Sequence, residues 1–426
     1  MLGGRLGDVA GHRRVLLAGL AVFGAASLAG GLAQTPGELI TARAAQGVGA
    51  AVLAPIAFSL ITLHIPAGPQ RARALGLWGA AAALGGAVGV LVGGMLTESA
   101  GWRAVLFVNV PVVAFTLVAT ANRIPADRRV IRAAVARLDL AGAVLATAAT
   151  SVFVLGIVRT QSHPWSSAMT LSTLATAGVL LAVFVMVESR SARPLLRMGL
   201  LAQRTVATAN LFVLLLFAGQ AAAFYFVSLY LQQVLGYSPT ATGVAFVPFA
   251  LGAVLGSGVA ARTVNRFGLR ALLSAGGLTA AAGFGWFAVT LTADGNFLTS
   301  VLGPSLLTSS GIGLCVVPVG TAATIGVAPA EVGMASSLIT GSRQIGSAVG
   351  LAALAATAIT VTEHHDGAPD TALAAGYAAA VGVSGAMLAL AAFLALLLIP
   401  ARQPVQVARP EPAPAAPVPV GGEQRD

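Results

Sequence analysis

Charge is scarce in this sequence, and lysine is absent from it. Only 9% of the 426 residues are charged and 57% are hydrophobic, with a mean hydropathy of +0.88. A water-soluble chain of this length would form two or three domains with about a quarter of its residues charged. The low charge therefore excludes an ordinary soluble protein and indicates an apolar surface that lies in lipid.

Because lysine is absent, all 24 basic residues are arginines, and the net charge of +10 consists of permanent cations. Nucleic-acid binding needs a concentrated basic patch on a soluble face. These arginines are instead spread singly through many short loops. We expect the anionic inner leaflet of a lipid bilayer as their partner, and no nucleic acid.

Cysteine is nearly absent as well, since Cys315 stands alone in an apolar run. This excludes an intrachain disulfide and predicts a small buried hydrophobe. The Glu-His-His-Asp segment 363–366, with Asp370, has metal-ligand residue types. Adjacent histidines on a loop rarely converge on one ion, so we predict a solvated loop and no metal site. No arrangement of catalytic residues or of a phosphate-binding loop occurs, so neither a cofactor nor an enzyme is expected.

Long apolar runs dominate the sequence. A membrane-spanning helix needs about 20 apolar residues, and twelve segments meet this requirement. They are 15–33, 38–63, 72–97, 102–122, 138–158, 168–188, 205–233, 239–261, 270–292, 297–322, 333–361 and 371–399. The predicted fold class is an all-α polytopic membrane protein.

The arginines divide unequally between the two sides of this predicted bundle. Twenty lie on the side of the N-terminal loop, against Arg103 and Arg159 on the other side. Cytoplasmic loops carry the excess of basic residues, so both termini are predicted to be cytoplasmic. The remaining two, Arg43 and Arg343, would lie inside the membrane. Acidic residues near the segments all lie at segment ends.

A glycine-rich hinge occupies residues 3–14, and a weaker copy occupies residues 261–270. Two related hinges in one hydrophobic chain indicate a duplicated membrane bundle. The copy matches the hinge in four pairs: Arg5 with Arg262, Asp8 with Asn265, Gly11 with Gly268, and Arg13 with Arg270.

The hinge, the run 43–50 and a series of glycines together resemble the major facilitator superfamily, in particular its fourteen-helix drug:proton antiporter branch (EmrB/QacA type). Residues 101–111, 229–239 and 343–346 are also similar to that branch. Eight predicted segments separate the hinges, which favours the fourteen-helix branch, with 138–158 and 168–188 as joining helices. The glycines are Gly76, Gly85, Gly89, Gly93 and Gly94.

In that branch the hinge follows the second helix, so the resemblance implies that two helices are missing at the front, one of which carries a proton-coupling acid. It also implies a major facilitator fold divided into four parts. These are a truncated N-terminal bundle (1–122), two joining helices with cytoplasmic loops (123–200), a C-terminal six-helix bundle (201–400) and a disordered Pro-rich tail (401–426).

The implied function is export of small hydrophobic or cationic drugs or metabolites from the cell across the plasma membrane. Protons would be exchanged for the substrate by alternating access. Two alternatives stay open: a truncated, transport-incompetent membrane fragment, and a transporter of one specific metabolite. The sequence does not indicate an oligomeric state.

The resemblance also implies roles for the polar residues of the hinges and segments. A conformational latch would involve Arg5, Gly7, Asp8, Gly11, Arg13, Arg262 and Arg266, although a solvated hinge fits the same residues. Proton coupling or the cavity would involve Arg43, Gln46, Arg343 and Gln344, although Arg43 could extend to the outer interface instead.

Two further sets of residues come from spacing and composition. Gly85, Gly89 and Gly93 recur every fourth residue, which predicts a stripe for close helix packing. Val90 stands where the family has proline, so this helix is expected to kink less than its counterparts in the family. The most polar stretch of segment seven predicts either a substrate cavity or an interhelical face, through Asn210, Gln220, Tyr225 and Tyr230.

Overall fold

A computed structural model gives the fold of the chain and describes residues 6–7, 10–65, 69–125, 139–160, 163, 165–191, 198–325, 327 and 332–400. Within these ranges the regular structure is helical, without a β-strand. Arg5, Asp8 and the tail 401–426 lie outside the described residues. The expectations for them therefore stay predictions.

Five helices form the described part of the first half, and α1 packs mainly against α2 and α5. Helix α2 begins with a capping box, in which the Thr35 hydroxyl accepts from the Glu38 N–H (3.3 Å) and the Glu38 carboxylate accepts from the Thr35 N–H (3.4 Å). These bonds satisfy two of the backbone N–H groups that have no hydrogen-bond partner within the first turn of a helix. The helices are α1 (His12–Leu32), α2 (Pro36–His64), α3 (Pro69–Ala100), α4 (Ala104–Phe107) and α5 (Asn109–Arg123).

Two helices follow, α6 (Leu140–Arg159) and α7 (Ala168–Arg190), and they pack chiefly against each other. Both begin at a side-chain cap. The Asp139 carboxylate accepts from the Gly142 N–H at 2.8 Å, and the Ser167 hydroxyl accepts from the Thr170 N–H at 3.1 Å. Such caps favour a defined helix start.

Seven helices make up the second half, and short π-helical turns adjoin two of them. The turn Tyr230–Val234 follows α9, and the turn Phe297–Leu302 precedes α12. The helices are α8 (Met198–Ala202), α9 (Arg204–Leu229), α10 (Pro239–Ala245), α11 (Val247–Thr290), α12 (Gly303–Thr324), α13 (Val332–Glu363) and α14 (Pro369–Leu398).

The fold class is confirmed. In the described part of the chain, ten helical stretches are long and apolar enough to cross a membrane. One of them, Pro239–Thr290, contains the two predicted segments 239–261 and 270–292, which Gly268 separates with a φ of 80°. The predicted segment 72–97 lies within α3. Each of the twelve predicted segments therefore corresponds to helical structure.

The largest buried core lies in the second half, where α11 runs along α12. Apolar side chains gain little by leaving lipid for a protein interior, so membrane helices depend on close packing of small residues. Glycines occupy this contact on both helices: Gly252, Gly256, Gly276 and Gly283 on α11, and Gly311 and Gly313 on α12.

Replacing Gly276 with Ala is expected to destabilise this contact. A Cβ at Gly276 would lie 2.7 Å from the Cys315 sulfur and 2.8 Å from the Gly311 carbonyl oxygen. Overpacking of this kind costs about 1–3 kcal/mol. The measurement is the thermal unfolding midpoint of purified protein.

Gly285→Ala is the matched control, because it lies on the same helix and has nothing within 4 Å of its Cβ position. Both changes gain about 1 kcal/mol of helix propensity, so only Gly276→Ala should lower the midpoint. Equal midpoints for the two variants would contradict the packing interpretation.

Candidate functional site

The two hinges share one backbone feature. Gly11, at the start of α1, has a φ of 94°, and Gly268, within α11, has a φ of 80°. Residues with a side chain rarely adopt this left-handed conformation. The sequence pairs these two glycines, so their common geometry supports the internal repeat. Gly7 is buried, and its carbonyl accepts from the Gly11 N–H at 3.0 Å.

Arg13 joins two helices of the first half. Its Nη2 donates to the Ala121 carbonyl oxygen at 2.6 Å, near the C-terminal end of α5. A cation is favourable there because the end of a helix carries unpaired carbonyls and a partial negative charge. In the second hinge Arg262 and Arg266 are exposed, and the Arg266 guanidinium lies 5.3 Å from the centre of the Phe267 ring. A latch between the halves through Arg5 and Asp8 stays a prediction.

A buried chain of hydrogen bonds leads from α1 to Arg43. Arg43 Nη1 donates to Gln46 Oε1 at 2.7 Å, as their spacing on one helical face leads one to expect. Gln46 Nε2 then donates to the Ser27 hydroxyl at 2.7 Å, and that hydroxyl donates to the Phe23 carbonyl oxygen at 2.8 Å. Ser27 is fully buried and Gln46 is nearly so, whereas Arg43 is exposed. Sequence reasoning missed Ser27, which no motif marks.

Arg343 lies on α13, and both it and Gln344 are exposed. Its guanidinium carbon lies 5.3 Å from the centre of the Phe217 ring on α9, within the range of a cation–π interaction. Among the described residues it forms neither a hydrogen bond nor an ion pair. The structure therefore brings Arg343 to an aromatic ring and to no carboxylate of a described residue.

Asn210 and Tyr230 lie between helices in this conformation, and a role for them in a substrate cavity stays a prediction. Tyr230 is fully buried, and its hydroxyl donates to the Thr292 carbonyl oxygen at 2.8 Å. Asn210 is 6% exposed and accepts from the Ser342 hydroxyl at 2.9 Å. Both side chains satisfy buried polar groups between helices, which is the interhelical alternative.

Gln220 and Tyr225 have different surroundings. Tyr225 is 46% exposed and packs edge-on against Phe226. The Gln220 Oε1 atom is buried and has no hydrogen-bond partner among the described residues. An unpaired buried acceptor is uncommon in native proteins. These two residues remain candidates for a cavity wall.

The stripe of glycines on α3 differs from its prediction. Among the described residues, nothing lies within 4 Å of the Cβ positions of Gly85, Gly89 and Gly93, so no described helix makes the expected contact there. Gly94 instead lies against the backbone of Pro239 in the second half. The four-residue spacing of these glycines identifies one face of α3, but the helix that follows Pro239 contacts α3 at Gly94, on the neighbouring face. Gly76 also lies within α3.

The contact that includes Gly94 forms a seam between the two halves, composed of residues 90–98 of α3 and residues 238–243, which include Ser238 and the first turns of α10. A Cβ at Gly243 would lie 3.1 Å from the Val90 carbonyl oxygen and 3.2 Å from the Leu91 Cα. The seam lies at the end of α3 that is remote from the hinge. It therefore holds the halves together on one side of the bundle.

Glu98 adds a polar contact to this seam. Its Oε2 accepts from the Ser238 hydroxyl at 2.8 Å and from the Thr240 N–H at 3.0 Å, at the start of α10. A carboxylate is favourable at a helix N-terminus. Glu98 lies outside the predicted spanning segment 72–97, and the hydrogen bonds from Thr240 and Ser238 hold its pKa below the usual range. Sequence reasoning placed Glu98 only at a segment end.

The remaining candidates are the predicted loop 363–370 and Cys315. In the part of the chain that the structure describes, no three His, Cys, Asp or Glu side chains are placed to bind a metal ion. The His364 ring nitrogen lies 2.8 Å from the Thr360 carbonyl oxygen. Cys315 is fully buried between α11 and α12.

Comparison with known proteins identifies the family. A family model described as Major Facilitator Superfamily matches residues 1–351 and, in a second match, residues 209–422. A solved peptide transporter has the same fold, with a TM-score of 0.65 at 18% identity, over 93% of this chain and 81% of that one.

Two relatives are similar over most of the chain. The cephamycin export protein of Amycolatopsis lactamdurans is 43% identical over 400 residues, which cover 93% of this chain and 81% of that protein. The puromycin resistance protein of Streptomyces alboniger is 38% identical over 412 residues, which cover 94% of this chain and 81% of that protein.

Glu98→Ala is expected to weaken the seam, because it leaves the Ser238 hydroxyl and the Thr240 N–H without their acceptor. Spin labels on cysteines introduced at Ser99 and Gln232, both exposed, would measure the separation of the halves there. The native Cys315 is buried and should not react. We expect a longer mean distance in the variant.

Glu363→Ala is the control, because Glu363 is an exposed carboxylate at the end of another helix. Since the Glu98 pKa is lowered, the charged form favours the seam, and this contribution is lost only as pH falls below the usual Glu range. The distance in the unmodified seam should therefore be the same at neutral pH and at about pH 5. A distance that Glu98→Ala leaves unchanged would refute its role.

Proposed function

Because the chain belongs to the major facilitator superfamily, we propose that it exports small antibiotic-like compounds from the cell across the plasma membrane. Membership makes it a multi-pass membrane transporter of small molecules. The observation that carries the direction of transport is that the two relatives are named for export of, or resistance to, an antibiotic. Each is similar over more than nine tenths of this chain.

The proposed mechanism is alternating access, in which two halves rock about a central site. The seam between α3 and α10 supports it, because the two halves meet there through glycine backbone and one carboxylate. At Gly94 and Gly243 there is no side chain to unpack when the halves separate. Rocking would open this seam and close the opposite side, where the hinges lie.

Proton antiport is the coupling that we propose. Arg43 supports it through the family motif, and its hydrogen bond to Gln46 holds it in one orientation. An arginine stays charged at every physiological pH and cannot release the proton itself. Arg43 would therefore act by lowering the pKa of a titratable partner when the two approach.

We also propose that the chain belongs to the fourteen-helix branch and that its termini are cytoplasmic. Helices α6 and α7, which lie between the halves in the chain and pack on each other, support the fourteen-helix branch. The distribution of arginines supports cytoplasmic termini.

Cells that express the chain are expected to hold severalfold less cephamycin or puromycin than cells with empty vector, measured by mass spectrometry of cell extracts. Nigericin, which collapses the pH gradient, should remove the difference if protons are exchanged. Arg343→Ala should also remove it, because that charge lies inside a span.

Arg190→Ala is the control for expression and insertion, since Arg190 is an exposed arginine at the end of α7. Equal amounts in expressing and empty-vector cells would argue against export and for the transport-incompetent alternative. A difference confined to one compound would favour a transporter of one specific metabolite.

A further inference from the structure

We propose that the transported compound carries a carboxylate or a similar anionic group, and that Arg343 and Arg43 bind it. This inference rests on the proposed function and names its substrate class. The sequence resemblance alone favours hydrophobic or cationic compounds. The described surroundings of the two arginines favour an anion.

Arg343 has hydrogen-bonding capacity that the described residues do not use. It lies eleven residues after the start of α13 at Val332, which at about 1.5 Å per residue is roughly 16 Å along the helix. A charge at such a depth avoids lipid and faces a water-filled cavity or a partner. Arg343 is exposed and has no hydrogen bond to any described residue, so its N–H groups are accessible to a ligand.

The Phe217 ring beside Arg343 adds to the recognition of a ligand. The ring centre lies 5.3 Å from the guanidinium carbon, and the ring is partly buried against the core of the second half. Stacking on the ring restricts the guanidinium while its N–H groups stay available. A planar apolar compound with a carboxylate could contact both groups at once.

The hydrogen bonds that link Arg43 through Gln46 to α1 orient Arg43 for binding an anion. The Gln46 amide is fixed in one orientation, because a 180° rotation would place its NH₂ group against the Arg43 cation. The same rotation would place the Gln46 oxygen against the Ser27 hydroxyl, which already donates its proton to the Phe23 carbonyl. The guanidinium is therefore fixed through one nitrogen. Its other N–H groups are exposed and can form a bidentate pair with a carboxylate.

The charges of the spans agree with this choice. The acidic residues near the twelve predicted segments lie at segment ends, so these twelve segments place two cations and no anion at mid-depth. A cationic compound would be repelled by two permanent charges, whereas an anion would neutralise one or both of them. Ser27 becomes a positioning residue for Arg43 in this arrangement.

The test is direct binding of two dyes that share a xanthene ring system and differ in charge: fluorescein, an anion with a carboxylate, and rhodamine 123, a cationic ester. Binding to purified full-length protein in lipid nanodiscs would be measured by fluorescence anisotropy at physiological salt. We expect fluorescein to bind more tightly than rhodamine 123. Arg343→Ala and Arg43→Ala should each weaken fluorescein binding by at least about tenfold.

Conservative variants separate binding from folding. Arg343→Lys keeps the charge but not the planar fork, so it should lose less than Arg343→Ala. Ser27→Thr keeps the hydroxyl and should bind fluorescein as the unmodified protein does, whereas Ser27→Ala should weaken fluorescein and leave rhodamine 123 unchanged. Arg190→Ala is the surface control.

Absence of fluorescein binding, or fluorescein binding that Arg343→Ala and Arg43→Ala leave unchanged, overturns the proposal. Preferential binding of rhodamine 123 overturns it too, and leaves the proposed export function standing. Fluorescein binding without any export of cephamycin or puromycin from cells would instead contradict the export function alone.

Discussion

Close approach between helix backbones is the interaction on which this bundle depends. In lipid the helices gain little by burying apolar side chains, so they associate through packing of small residues. Glycines of α11 and α12 place the two backbones in direct contact in the second half. The same device recurs between the halves, where Gly94 and Gly243 bring α3 to α10. Stability inside one half and contact between the halves therefore rest on one kind of surface.

The polar residues inside the bundle fall into two groups with different consequences. Tyr230 and Asn210 are buried and satisfied by neighbouring helices, so they hold the second half together. Arg43 and Arg343 are exposed and retain N–H groups that the described residues do not use. Polar character alone does not distinguish the groups. Burial and partners distinguish them, and the second group has N–H groups available to a ligand.

Much of the fold was predictable from the sequence, because span length, apolar content and the paired glycines of the two hinges are local properties. Gly11 and Gly268 have the left-handed backbone that their pairing indicates. The site was less predictable, since its contacts join distant residues. The bond from Gln46 to Ser27, the cap that Glu98 provides for α10, and the shift from Gly93 to Gly94 all depend on which helix lies opposite. Spacing along one helix contains no such information.

The seam between α3 and α10 contains few side chains that lose conformational entropy when the two halves close. Side chains that meet across an interface normally lose rotamer freedom, and long ones lose most. At Gly94 and Gly243 the meeting surface has no side chain to restrict, and at Pro239 the ring is already fixed. Closing the two halves at these positions therefore costs almost no side-chain entropy. Side-chain ordering there should consequently add little to the temperature dependence of the equilibrium between closed and open states.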